Sequence, residues 1–241
     1  MNKKPLKILF YTIISVLFLF IISIFAISSG SENISFLTVI KILLRINQNQ
    51  TLHDIIFHIR LPRILLGLAV GGALSISGLL LQGIFKNPLV EPFTLGISGE
   101  ASLGVSLITV LNINLLGNYL SMPLAGFLGA LLIMMLVYRL GIKQLELQLT
   151  NVLLIGVMIS FISSSLVMLI MAISRAQDLH TILFWIMGNL DEPNFNLILF
   201  TLVISIFGLI LSFFLSYRLN IFSLGEEEAR SLGINVKSIK K

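Results

Sequence analysis

Long unbroken apolar stretches alternate along this chain with short polar ones. A hydrocarbon layer about 30 Å thick is crossed by about 20 apolar residues in helical form. Residues 8–28, 64–85, 119–140, 152–173 and 197–217 meet that length. A weaker stretch, 94–111, is interrupted by Glu100 and by Gly96, Gly99 and Gly104. The pattern predicts an all-α, polytopic transmembrane bundle of about six spans within one domain covering residues 1–241.

The first apolar stretch follows Lys3, Lys4 and Lys7, as a secretory leader would, and ends near a small-residue site at residues 26–28. Its length exceeds the roughly 7–15 residues of a leader's apolar region, which predicts a retained helix instead. Placing the N-terminus in the cytoplasm leaves only Lys41, Arg45, Arg60, Arg63 and Arg175 of the sixteen lysines and arginines on the outer face. That asymmetry fits a multi-pass protein of the cell membrane, because basic residues accumulate on the cytoplasmic side. In the outer loop, residues 29–63, the spacing of Phe36, Leu37, Ile40, Leu43 and Leu44 predicts an amphipathic surface helix with those residues on its apolar face and Lys41 and Arg45 off it. Asn47 to Thr51 reads as a solvated turn.

Composition narrows the function classes. The charge of +5 is spread over loops, which reports topology rather than nucleic-acid binding. Without cysteine there is no disulfide, thiolate metal site or cysteine nucleophile, and His53, His58 and His180 lack metal-ligand spacing. No G-x-x-x-x-G-K-[ST], H-E-x-x-H or nucleophile motif is present, so neither ATP hydrolysis nor membrane-embedded catalysis is expected of this chain.

Several interior positions stand out. Gly67, Gly71 and Ser75, and again Ser121, Ala125 and Gly129, place small residues on one helix face, the device that lets helices approach closely in lipid. Gly156, Ser160 and Ser164 repeat it, either packing, bonding back to their own helix or lining a polar pathway. A carboxylate at mid-bilayer costs about 2.5–3.5 kcal/mol even on the lenient insertion scale. Glu100 is therefore expected to be neutral, shallow in the wetted interface, or facing a cavity beside a short or broken helix. A carrier driven by an ion gradient with Glu100 as its cation or proton site is the alternative reading of the whole chain.

Four stretches carry a resemblance. They are R-L-P-R at Arg60 to Arg63 with the small-residue helix and Gln82 after it; N-P-L-x-x-P from Asn87 through Pro88 to Pro92; F-W-I-M-G-N-L at Phe184 to Leu190; and L-G-E-E-E-A-R-S-L-G. The last comprises Leu224, Gly225, Glu226, Glu227, Glu228, Ala229, Arg230, Leu232 and Gly233. Together they resemble the FecCD/BtuC-type permeases of ABC importers for ferric siderophores, haem or cobalamin. The resemblance implies a dimer with a second permease copy or paralogue, a cytoplasmic ABC ATPase holding ATP and Mg, and an extracytoplasmic substrate-binding protein. It implies no cofactor on this chain, and no partner among nucleic acids. It gives the 223–236 segment the role of a coupling helix docked on the ATPase, and Arg60 and Arg63 that of docking the binding protein. The acids of the first turn suit a helix dipole, and Glu226 stands four residues before Arg230. Family members have about ten spans, so the chain reads as incomplete at its C-terminal end, and Glu100 stands where the family has a small or neutral residue.

Overall fold

A computed structural model of the chain describes residues 4–30, 32–44, 49–114, 120–142, 149–192, 194–225 and 231. The described residues are mostly helical, and the chain divides into two compact units: Met1–Gly71 with Leu190–Ile206, and Gly72–Asn189 with Phe207–Lys241. Helices α1 (Lys4–Ser28), α2 (Phe36–Leu43) and α3 (Gln50–Asp54) belong to the first unit. Helix α4 (Leu61–Phe85) and helix α9 (Phe195–Leu224) run across the boundary. Helices α5 (Ile97–Val110), α6 (Ser121–Ile142), α7 (Leu149–Ile173) and α8 (Ala176–Met187) belong to the second.

Among the described residues, five helical runs are long and apolar enough to cross a membrane: Leu6–Ser28, Gln50–Phe85, Ser121–Leu140, Thr150–Ile173 and Phe195–Phe222. The compromised sixth stretch behaves as its composition implies. Its helix, α5, has 14 residues, which at about 1.5 Å each span about 21 Å, short of a bilayer core.

The second crossing run begins well before residue 64. Helix α3 starts at Gln50, capped by the Asn49 side chain, and passes through a π-helical turn, Ile55–Arg60, into α4 without a break. Pro62 has no N–H to give, and an ordinary α-turn would crowd its ring against the carbonyl four residues back. The wider turn relieves this: Leu61 N–H bonds to the carbonyl of Ile56, five residues earlier. R-L-P-R therefore lies inside a helix rather than in a loop before one.

The first unit closes around Ile27, Ile34, Val39, Ile42 and Ile56. Helix α2 forms as predicted, with Ser35 as its N-cap. Val39 and Ile42 are fully buried, whereas Phe36 and Leu37 are more than half exposed. The exposed Phe36 and Leu37 belong to the apolar face expected to lie on the lipid surface, while Val39 and Ile42 hold the helix to the first unit.

In the second unit α5 is the central element, packed against α6, α7 and α8. Val105 and Ser106 of α5, Ala125 and Val137 of α6, Ser163 and Val167 of α7 and Ile182 of α8 are buried. Helix α8 was not among the expected elements. Its 12 residues begin among Arg175, Asp178 and His180, which hides a helix held by Ile182 and by Trp185 against Gly126.

Candidate functional site

In the first unit, the two arginines of R-L-P-R have separate tasks. The Arg60 guanidinium turns inward and donates to the carbonyls of Ile27 (2.6 Å), Ser28 (3.2 Å) and Glu32. It thus satisfies the last carbonyls of α1, which no intrahelical N–H reaches. A Cβ on Gly30 would come within 2.7 Å of that guanidinium, which would have to shift to admit it. Arg63, three residues on, faces outward and pairs with Asp191, Nη2 at 2.8 Å and Nε at 3.2 Å from one carboxylate oxygen. Both partners are about half exposed or more. Of the two, it is Arg63 that presents a cation at the surface.

The same unit holds a cavity of about 460 Å³ lined by His53, Phe57, His58, Pro62, Glu192 and Phe195. His53 stacks on Phe57 with ring centroids 4.5 Å apart, and the Nδ1 atoms of His53 and His58 each lie 3.6 Å from an Asp54 oxygen. No group of three potential metal ligands forms among the described residues.

In the second unit the N-P-L-x-x-P stretch makes a rigid turn. The Asn87 side chain accepts from the Leu89 N–H at 3.0 Å and the Asn87 carbonyl accepts from the Val90 N–H at 3.3 Å. Pro88 sits within this turn, and Pro92 opens a short 3₁₀ helix, Pro92–Leu95. Glu91 and Thr94 cap that helix reciprocally. Gly96 then turns the chain into α5 at φ 87°, a left-handed conformation suited to glycine. Gln82 shares a shallow groove of about 390 Å³ with Ser75, Glu91, Pro92 and Phe93.

The three small-residue stripes meet different fates. A Cβ on Gly129 would come within 2.6 Å of the Glu100 carbonyl, and one on Gly104 would strike the carbonyl of Ala125. Along α7, Gly156 lies against the backbone of Leu95, Ser160 against Gly96, and Ser164 against Gly99. The Ser160 hydroxyl donates back to the Gly156 carbonyl at 3.1 Å. Gly156, Ser160 and Ser164 are thus packing residues for α5. The α4 stripe was expected to pack too, yet a Cβ on Gly71 would meet nothing within 4 Å and one on Gly67 only Leu190. Small size permits close approach without supplying a neighbour.

Glu100 lies within this packing and is 1% exposed. Neither carboxyl oxygen has a hydrogen-bond partner of ordinary geometry among the described residues; the Ser163 side chain and the N–H of Glu100 itself are the polar groups that act on it. A cavity of about 130 Å³ borders it, lined also by Leu81, Phe85, Val137 and Tyr138. The carboxyl is therefore not wetted: glycine contacts draw α5 close to α6 and α7, and of the three expectations the structure agrees with a cavity beside a short helix.

Sequence reasoning missed Phe222. It is 0% exposed, and the ammonium of Lys86 stands 4.4 Å from its ring centroid. The positive charge directly after an apolar span was the available signal. Leu224 ends α9 and Gly225 follows at φ 149°. The remaining proposed coupling residues, Glu226, Glu227, Glu228, Ala229, Arg230, Leu232 and Gly233, lie outside the described residues.

A helical, multi-span fold built on a short, glycine-packed central helix is that of a polytopic membrane permease. The chain matches the FecCD transport family over residues 16–241 and belongs to it. It is 38% identical over 188 residues to the molybdate import system permease protein MolB of Haemophilus influenzae, covering 78% of this chain and 55% of that protein. It is 35% identical over 215 residues to the hemin transport system permease protein HmuU of Yersinia pestis, covering 88% and 64%. A solved structure described as an inward-facing conformation of a metal-chelate type ABC transporter superposes with TM-score 0.77 at 33% identity, over 97% of this chain and 70% of that one. The chain thus spans somewhat more than half the length of these curated relatives.

Proposed function

We propose that the chain acts as a membrane-spanning permease subunit, or the greater part of one, of an ABC importer that carries a metal chelate of the ferric siderophore, haem or corrinoid type into the cytoplasm. The observation that carries this reading is the family match over residues 16–241. On this reading the energy comes from ATP and Mg on a partner ATPase, the N-terminus is cytoplasmic, and the cargo arrives on an extracytoplasmic binding protein. A second permease copy or paralogue completes the pathway. Family membership favours ATP-driven import over the gradient-driven alternative built on Glu100. The test is ATP-dependent uptake of a labelled metal chelate into proteoliposomes containing the whole complex. Uptake that follows an ion gradient and ignores ATP would overturn the reading.

Two predictions follow for the partners. Arg63 is the basic residue of R-L-P-R with its charge at the surface, so it is assigned the docking role and Arg60 an internal one. Arg63→Glu is expected to slow binding-protein association about tenfold at low salt, an effect that shrinks as salt screens it. Arg60→Glu should lower thermal stability instead. Equal docking kinetics for wild type and Arg63→Glu would remove that assignment. At the cytoplasmic end, replacing Glu226, Glu227 and Glu228 by alanine is expected to weaken co-purification of the ATPase. Undiminished co-purification would count against the coupling role.

A further inference from the structure

We infer that Lys86 and Phe222 form the joint through which movement of the 223–236 segment enters the helices of the second unit; this rests on the importer reading. From residue 207 onward, every described side chain of α9 is at least partly exposed except Phe222. Phe213, Phe214 and Tyr217 are each more than 70% exposed, whereas Phe222 is 0% exposed. One ring therefore anchors the end of α9 that leads into the proposed coupling segment.

What meets that ring is unusual in its backbone. Lys86 adopts φ 52° directly after α4 ends at Phe85. Glycine or asparagine ordinarily takes such a left-handed helix stop, because a Cβ is strained there. Neither has a side chain able to place a cation over a ring. Lysine does so, 4.4 Å from the Phe222 centroid; the ring is buried and the lysine itself is exposed, so the attraction is that of a surface cation–ring contact.

The two sides of the joint differ in backbone conformation and local bonding. Beyond Phe222, Gly225 at φ 149° gives the chain a conformation that side-chain-bearing residues seldom adopt. Beyond Lys86, the hydrogen-bonded Asn87 turn ends at buried Val90, and the Glu91–Thr94 cap follows directly in the chain and leads to Gly96. That path ends at α5, which glycine contacts hold against α6 and α7. A displacement of Phe222 strains its contact with Lys86, and whatever part of it the lysine stem does not absorb shifts the turn that sets the start of α5.

The test compares four variants in the whole reconstituted complex, with its ATPase and cargo-loaded binding protein. Lys86→Met keeps the length and removes the charge; Phe222→Leu keeps apolar bulk and removes the ring. Both are expected to retain ATPase association and basal ATP hydrolysis. Import per ATP hydrolysed should fall about two- to fivefold, the scale of losing a ring–cation contact whose cation is exposed. Lys86→Arg and Phe222→Tyr preserve the contact and should stay near wild type. Wild-type import per ATP in Lys86→Met and Phe222→Leu would overturn the joint. So would equal losses in all four variants, the mark of a merely structural position. Absence of ATP-driven import by the wild-type complex would instead refute the importer reading itself.

Discussion

Gly129→Ala is expected to destabilise the chain by about 2–3 kcal/mol, the upper part of the range for overpacking a tight interior. The reason is the identity of the neighbour. The added Cβ would lie 2.6 Å from the Glu100 carbonyl oxygen, and a backbone atom inside a packed helix cannot rotate aside as a side chain would. Helices α5 and α6 would have to separate, and that separation would also disturb the Gly104–Ala125 contact on the same interface. Gly104→Ala should cost a similar amount, and the double variant less than the sum, because the first separation already relieves the second clash. Gly72, Gly78 and Gly83 of α4 provide the contrast, since a Cβ on any of them meets nothing within 4 Å. Alanine there should be neutral or stabilising by up to about 1 kcal/mol through helix propensity. Trp185, the only tryptophan, packs on Gly126 of α6 and can report the melting of this unit in detergent. Equal losses in the α4 and α6 series would mean that another helix covers the α4 face in the assembled protein.

That contrast shows what the sequence could and could not disclose. Long apolar stretches are legible because a bilayer imposes one length on every crossing helix, and α1, α6, α7 and α9 extend beyond the expected runs by only a few residues at most of their ends. Facing is much less legible. In water the buried side of α2 would be its most apolar one; in lipid, Phe36 and Leu37 can remain outside while Val39 and Ile42 pack inward. Likewise the α4 and α6 stripes have the same spacing, and only the course of the chain decides that a Cβ on Gly129 would strike a backbone while one on Gly71 would enter open space. The candidate site divides in the same way. The turn at Asn87 is local, its bonds closing within four residues, so its residues announce it. Arg60 and Arg63 look equivalent in R-L-P-R, yet a π-turn sends one toward α1 and leaves the other at the surface. Phe222 was hidden among lipid-facing aromatics, which nothing but burial distinguishes from it.

Glu100→Met is expected to raise the melting temperature by several degrees, corresponding to about 1–3 kcal/mol recovered when a buried polar group without partners is removed. Both carboxyl oxygens lack hydrogen bonds among the described residues, and the side chain is 1% exposed. Methionine matches glutamate closely in length and volume and adds nothing at Cβ, so the contact between Gly129 and the backbone of residue 100 is untouched. Glu100→Gln is the control: its amide is still polar and unpartnered, and it should recover much less. Glu100→Gly would relieve the polar cost but leave a void, with a smaller gain or a net loss. A fall in stability for Glu100→Met would show that the carboxyl finds a counter-charge in the assembled complex, beyond the residues described. Measuring uptake on the same variant then separates two explanations for a residue that weakens its own fold. Undiminished uptake in a more stable protein would make Glu100 a tolerated departure in a glycine-rich segment. Lost uptake in a more stable protein would make it a group kept for transport at the expense of stability, as buried ionisable residues within membrane helices usually are.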